Sequence, residues 1–103
     1  MHEIEFLIKK VDDFRDERNW RQYHNAKDLA ISLSIEASEL LEAFQWKTSE
    51  EAWEENKENI KEEIADVLIY ALTLCSELNL KVEDIILEKI NKNNIKYKID
   101  EIE

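Results

Sequence analysis

The chain contains neither glycine nor proline, and this absence constrains its fold more than any single motif does. Hairpin turns draw on these two residues for left-handed and fixed-φ positions, so a hairpin-rich β architecture is disfavoured. The Walker loop and the dinucleotide fingerprint, which need bare backbone beside a phosphate, are excluded on the same ground. Glu, Lys, Leu, Ile and Ala dominate instead, and all but Ile are strong helix formers. At 103 residues the chain suits one domain, taken as residues 1–103, with a core of modest size.

The 3.6-residue period marks four helices. The first runs over about 3–19, with Ile4, Leu7, Val11 and Phe14 as its apolar stripe. The stretch "NWRQYHN" interrupts the pattern, and Asn25 is placed to cap a second helix over about 26–46, with Asp28 in its first turn. Thr48 and Glu51 have the spacing of a capping box and predict a short helix there. A third helix spans about 58–78, closed by Asn79 in the place glycine usually takes. The fourth spans about 82–97, and the acidic tail after it is expected to fray. Short connections make sequential helices antiparallel, which gives an all-α, four-helix antiparallel bundle. Helices two and three are apolar around more than one face, so a lone bundle leaves them uncovered and a homo-oligomer is expected.

The formal net charge is −11, which repels nucleic acid and anionic membrane surfaces. An anionic ligand such as a nucleotide therefore needs divalent cations between it and the protein. The single cysteine, Cys75, permits no internal disulfide, sits in an apolar stretch and reads as a packing residue. This fits a reducing, cytoplasmic setting. The N-terminus lacks the pattern of a signal peptide, and no apolar run is long enough to span a membrane.

Against this background one pattern stands out. Glu36 and Glu39 lie three residues apart inside the apolar run "LAISLSIEASELL", and Glu63 and Asp66 repeat the spacing on the third helix, where Asp66 is the only charge between Ile64 and Cys75. Residues three apart project side by side from a helix. If helices two and three pack antiparallel, four carboxylates converge. Unpaired, they repel one another and resist ionisation, and a hard dication with oxygen ligands removes the conflict. The plainer reading is a solvated face, because with 25 acids in the chain i,i+3 acidic pairs are common. The apolar surroundings bring the first reading level with it.

Other candidates are weaker. Lys89, Asn93 and Lys96 form a polar stripe on helix four, and Asn93 takes a position where Ile would continue the apolar one. A phosphate suits a Lys and an amide there, although on pattern alone a solvated face with Asn93 as an incidental break is the simpler reading. Aromatic residues cluster near the helix breaks, where Trp20 and Trp46 can sandwich a base or pack in the core. His24 lies in the loop before helix two, as a hydrogen-bond donor or a plain loop residue. His2 carries no signal, and no His or Cys pattern suggests zinc.

Taken together, Glu36-x-x-Glu39, 23 intervening residues and Glu63-x-x-Asp66 resemble the signature of the MazG-like all-α nucleotide pyrophosphohydrolases. The segments "FRDERNWRQYH", "EASELLEAFQWKT", "EEIADVLIY" and "EKINKNNIKY" are similar, in order, to the dCTP pyrophosphatase branch over residues 4–98. The resemblance implies hydrolysis of a nucleoside triphosphate between its α and β phosphates, giving monophosphate and pyrophosphate. It implies Mg²⁺, with Mn²⁺ as a substitute, held by Glu36, Glu39, Glu63 and Asp66, with Glu39 as the base. It implies phosphate contacts from Lys47, Lys89, Asn93 and Lys96, and a base and sugar pocket shaped by Phe14, Trp20, His24, Trp46 and Tyr70. It also implies a homodimer or a dimer of dimers, with sites built across subunits. Two positions depart from the pattern. Ile35 stands where many members have Glu, and Val11 stands where mammalian members of the branch tend to have His, which leaves base preference open. The alternatives are the same chemistry on dUTP or another noncanonical nucleotide, or a non-catalytic helical adaptor whose acids are surface charge.

Overall fold

The computed structural model describes residues 2–99. Four helices carry the chain: α1 (His2–Glu17), α2 (Ala26–Glu42), α3 (Ser49–Glu77) and α4 (Val82–Lys96), with a 3₁₀ turn at Arg21–Tyr23 between the first two. No strand occurs among the described residues. The all-α class matches expectation. The tail expected to fray lies outside the described residues apart from its first positions. Among the described residues, no helix is long and apolar enough to cross a membrane.

The helix ends show how a chain without glycine terminates its helices. Asn19 and Asn79 both adopt left-handed backbone, with φ of 57°. After each, the chain closes the same pair of bonds: the Asn19 and Trp20 amides donate to the Asp16 and Arg15 carbonyls, and the Asn79 and Leu80 amides donate to the Ser76 and Cys75 carbonyls. This is the Schellman arrangement, with asparagine in the position glycine usually fills because its short polar side chain tolerates the left-handed region. The starts follow the sequence as well. The Asp28 amide donates to the Asn25 side chain at 2.8 Å, and the capping box of Thr48 and Glu51 forms in both directions at 2.9 and 3.1 Å.

Two boundaries differ from those expected. The second helix ends at Glu42 rather than near residue 46, because the Phe44 and Gln45 amides take carbonyls three residues back and tighten the chain into turns. The short helix at Thr48 is not separate. It runs into the third helix through a kink at Asn56 (φ −123°, ψ 29°). There the Asn56 side-chain amide donates to the Ala43 carbonyl at 2.9 Å, joining the distorted turn to the end of α2.

Within the chain, α3 is the central element. It packs extensively on α2 and less so on α1, while α4 touches the other helices only sparsely. The densest core is small: Ala43, Ala52 and Ile60, with Leu40 and Phe44 against them. Leu29 and Val82 are also buried, but Leu68, Leu87, Ile86 and Ile90 are about half exposed. The accessible surface is 8304 Å², against about 6,100 Å² for a compact protein of this mass. The radius of gyration is 16.9 Å, against about 13 Å for a compact chain of this length.

Candidate metal centre

Because α2 and α3 make the most extensive helix contact in the chain, their acidic stripes face one another. One oxygen from each of Glu36, Glu39 and Glu63 lies within 4.8 Å of the other two. Glu36 Oε1 and Glu63 Oε1 are buried and meet no hydrogen-bond donor. An orphaned buried oxygen costs about 1–3 kcal/mol, more when charged, so two such oxygens at one point suit a positive group between them. The titration behaviour agrees. Burial, followed by repulsion from Glu39, Asp66 and Glu63, raises the Glu36 pKa to about 7. Burial and Glu39 also push Glu63 above its ordinary value. Three carboxylates facing one another without a donor make a hard-oxygen set that suits a divalent cation such as Mg²⁺.

Asp66 is not a member of this trio. It stands one turn beyond Glu63, partly buried, and close enough to raise the Glu36 pKa. Tyr70, one turn further on, is half-buried. On the open side, Glu42, Asn56 and Asn59 join Glu39 and Glu63 around a polar recess. Sequence reading missed the two asparagines, although Asn56, Asn59 and Glu63 fall on one helical stripe.

The structure treats the remaining candidates unequally. Phe14, Trp20 and His24 form an aromatic group. The Phe14 and Trp20 rings meet edge to face at 5.5 Å, and His24 lies edge-on to Trp20 at 6.3 Å. The left-handed turn at Asn19 folds Trp20 back onto the helix that carries Phe14. Trp46 is 97% exposed, so within the chain it is not a core residue. Its backbone is left-handed, with φ of 64°, a conformation that costs a bulky residue about 1–2 kcal/mol and directs the indole outward. Lys47 is held by Glu55 at 2.7 Å. No hydrogen bond or ion pair ties Lys89, Asn93 or Lys96 to the carboxylates among the described residues. The Lys96 ammonium lies over the Tyr97 ring, and the Asn93 carbonyl accepts from the Tyr97 amide at 2.7 Å.

The raised Glu36 pKa has a measurable consequence. The folded metal-free chain holds that proton more tightly than the unfolded chain does, so its stability falls as pH rises from about 4.5 through about 7. Discounted for the partial exposure of the group, the loss is on the order of 1 kcal/mol, or about 4 °C in Tm. Thermal melts in a chelator across this range are expected to fall in the native chain and to be flatter in Glu36→Gln. Parallel curves in the two proteins would contradict the assignment.

Comparison with known proteins bears on the same residues. A family model described as the MazG-like family matches residues 31–103. The dCTP pyrophosphatase 1 of Rattus norvegicus is 33% identical over 101 residues, which cover 93% of this chain and 59% of that protein. The Homo sapiens protein of the same name is 34% identical over 99 residues, covering 91% and 58%. The chain thus spans less than two thirds of the length of these relatives. The crystal structure of a pyrophosphatase from Archaeoglobus fulgidus is similar with a TM-score of 0.89 at 44% identity, covering 96% of this chain and 95% of that one.

Proposed function

The chain belongs to the MazG-like family, and on that premise we propose that it is a cytoplasmic nucleoside triphosphate pyrophosphohydrolase whose residues 1–103 form one MazG-like domain. Its substrate is dCTP or a related modified pyrimidine deoxynucleotide, and its cofactor is Mg²⁺, with Mn²⁺ as a substitute. The observation that carries the reading is the pair of orphaned oxygens on Glu36 and Glu63 beside Glu39. The names of the similar dCTP pyrophosphatases supply the substrate class.

In this reading Glu36, Glu39, Glu63 and Asp66 hold the cation. When bound, it neutralises triphosphate charge and makes water at the site more acidic. Glu39 accepts the proton of the attacking water. The water oxygen bonds to the α phosphorus, the bond from that phosphorus to the bridging oxygen breaks, and pyrophosphate leaves with the monophosphate as the other product. Phe14, Trp20, His24, Tyr70 and Trp46 shape the pocket for the base and sugar, with the Arg18 guanidinium over the Phe14 ring at 3.7 Å. Lys47, Lys89, Asn93 and Lys96 steady the phosphates. The last three of these sit on the sparsely packed α4, so they serve a site completed by α4 of a second copy. A homo-oligomer is therefore part of the proposal.

The test is monophosphate formation, followed by anion-exchange chromatography, over a panel of canonical and modified nucleotides that includes dUTP, with and without Mg²⁺. Turnover that requires the metal and is fastest for dCTP or its modified forms is expected. Fastest turnover of dUTP would move the substrate within the class. No turnover of any nucleotide would overturn the reading.

A further inference from the structure

The largest fully buried side chain is not apolar: Arg15, on α1, is 1% exposed. All three nitrogens of its guanidinium meet acceptors. Nε donates to Asp12 Oδ1 at 3.1 Å, and Nη2 reaches Ser76 Oγ at 3.4 Å and the same Asp12 oxygen at 3.1 Å. Nη1 donates to Glu77 Oε1 at 3.1 Å and faces His24 Nδ1 at 3.4 Å. Ser76 Oγ donates in turn to the Asp12 carboxylate at 2.8 Å. The hub ties α1 to the last turn of α3 and to the loop that carries His24.

A guanidinium has donors only. The nitrogen facing Arg15 Nη1 must therefore present a lone pair, and the proton of a neutral imidazole must sit on Nε2. Protonation of His24 would set two N–H groups against each other. The charged groups around the ring act in the same direction on balance: burial first, then Arg15 and also Arg21, keep the His24 pKa below its ordinary value, against the attraction of Glu77. Among the described residues nothing hydrogen-bonds to Nε2, and the ring lies edge-on to Trp20 in the aromatic group.

We propose that Arg15 is a positioning residue that locks His24 as the neutral Nε2–H tautomer, making His24 an obligate hydrogen-bond donor to an acceptor atom, a carbonyl oxygen or a ring-nitrogen lone pair, on the base or sugar of a nucleotide set against Trp20. The identity of the ligand rests on the function proposed above. The tautomer does not.

The experiment therefore has two independent arms. In the first, long-range ¹H–¹⁵N correlation spectra of ligand-free protein assign the imidazole. The chain has only two histidines, so His2→Gln leaves the signals of His24 alone. The spectrum expected at neutral pH has Nε2 protonated and Nδ1 bare. A protonated Nδ1, or an imidazolium, overturns the proposal. Because this arm uses the native hub, it does not depend on whether Arg15 variants fold. In the second arm, binding of a non-hydrolysable α,β-imido analogue of dCTP is measured with Mg²⁺ present. Losing one neutral hydrogen bond weakens binding about tenfold, so His24→Ala is expected to raise Kd by about that factor. His24→Gln, whose amide N–H reaches the position of Nε2, restores most of it. Equal Kd in all three proteins overturns the donor role. If the native protein turns over no nucleotide while the spectrum shows Nε2–H, the functional reading fails and the tautomer assignment stands.

Discussion

Glu39→Gln is expected to abolish nearly all turnover while leaving the fold slightly more stable. The loss follows from removing the group that accepts the proton of water, which is worth about 10²- to 10⁴-fold in kcat. The gain follows from the geometry. One oxygen each from Glu36, Glu39 and Glu63 meets within 4.8 Å, and in the metal-free chain these groups repel one another, as the raised pKa of Glu36 records. Gln keeps the shape, removes one charge and offers an amide donor to an oxygen that has none. Glu63→Gln follows the same logic and should also weaken Mg²⁺ binding. Asp66→Asn is expected to lose activity as well, with a smaller change in metal-free stability, because Asp66 stands outside the trio. The decisive feature is the opposite sign of the two effects. Residues that merely hold α2 against α3 would lose activity and helical circular dichroism together. A melting temperature that falls in step with kcat in Glu39→Gln would make the cluster structural and remove the basis of the proposed chemistry.

How much of this was legible follows from the range of the interactions involved. The helices and their caps depend on neighbours within four residues, so period and capping chemistry reveal them. Asn25, Thr48 and Asn79 are local signals of this kind. The facing of the acidic pairs depends on one long-range fact, that α2 and α3 are antiparallel neighbours, and the short connection between them makes that readable. The Arg15 hub was not readable. Its residue lies in "FRDER", where Arg15, Asp16, Glu17 and Arg18 are consecutive charges and look like solvated surface. Its hub draws in partners some sixty residues away, Ser76 and Glu77, which no local pattern links to it. Trp46 was only half readable. A tryptophan at a helix end suggests a ring packed in the core or stacked on a base, and no local rule foretells the left-handed backbone that turns the indole outward and removes the first of these within the chain. The sparse packing of α4 was equally hidden, because its stripe of Val82, Ile86 and Ile90 reads as that of a helix buried within its own chain.

That unpartnered stripe leads to the second large effect, a mass in solution of at least two copies of the 12.3 kDa chain. The accessible surface exceeds that of a compact monomer by about 2,200 Å² per chain. Covering it on both members of a pair would bury an area in the range of obligate homodimers, about 2,000–5,000 Å² in total. The exposed apolar residues also lie where an interface could form. Leu7, Val11 and Phe14 of α1 line one groove with Leu68, Ile69 and Leu72 of α3, and Leu87 and Ile90 lie on α4. Leu68 is 56% exposed and Leu87 is 57% exposed. If the chain works alone, Leu68→Asp and Leu87→Asp are surface changes, each within about 0.5 kcal/mol of neutral. If copies cover these positions, each substitution buries an unpaired carboxylate twice in a symmetric pair, at a cost of several kcal/mol. The expected outcome is a shift toward the single-chain mass by light scattering, a large fall in Tm, and loss of turnover, because Lys89, Asn93 and Lys96 no longer reach a neighbour's carboxylates. A native chain that scatters as one copy at micromolar concentration, with Leu68→Asp and Leu87→Asp melting as the native protein does, would leave the phosphate contacts on α4 without a route to the metal centre.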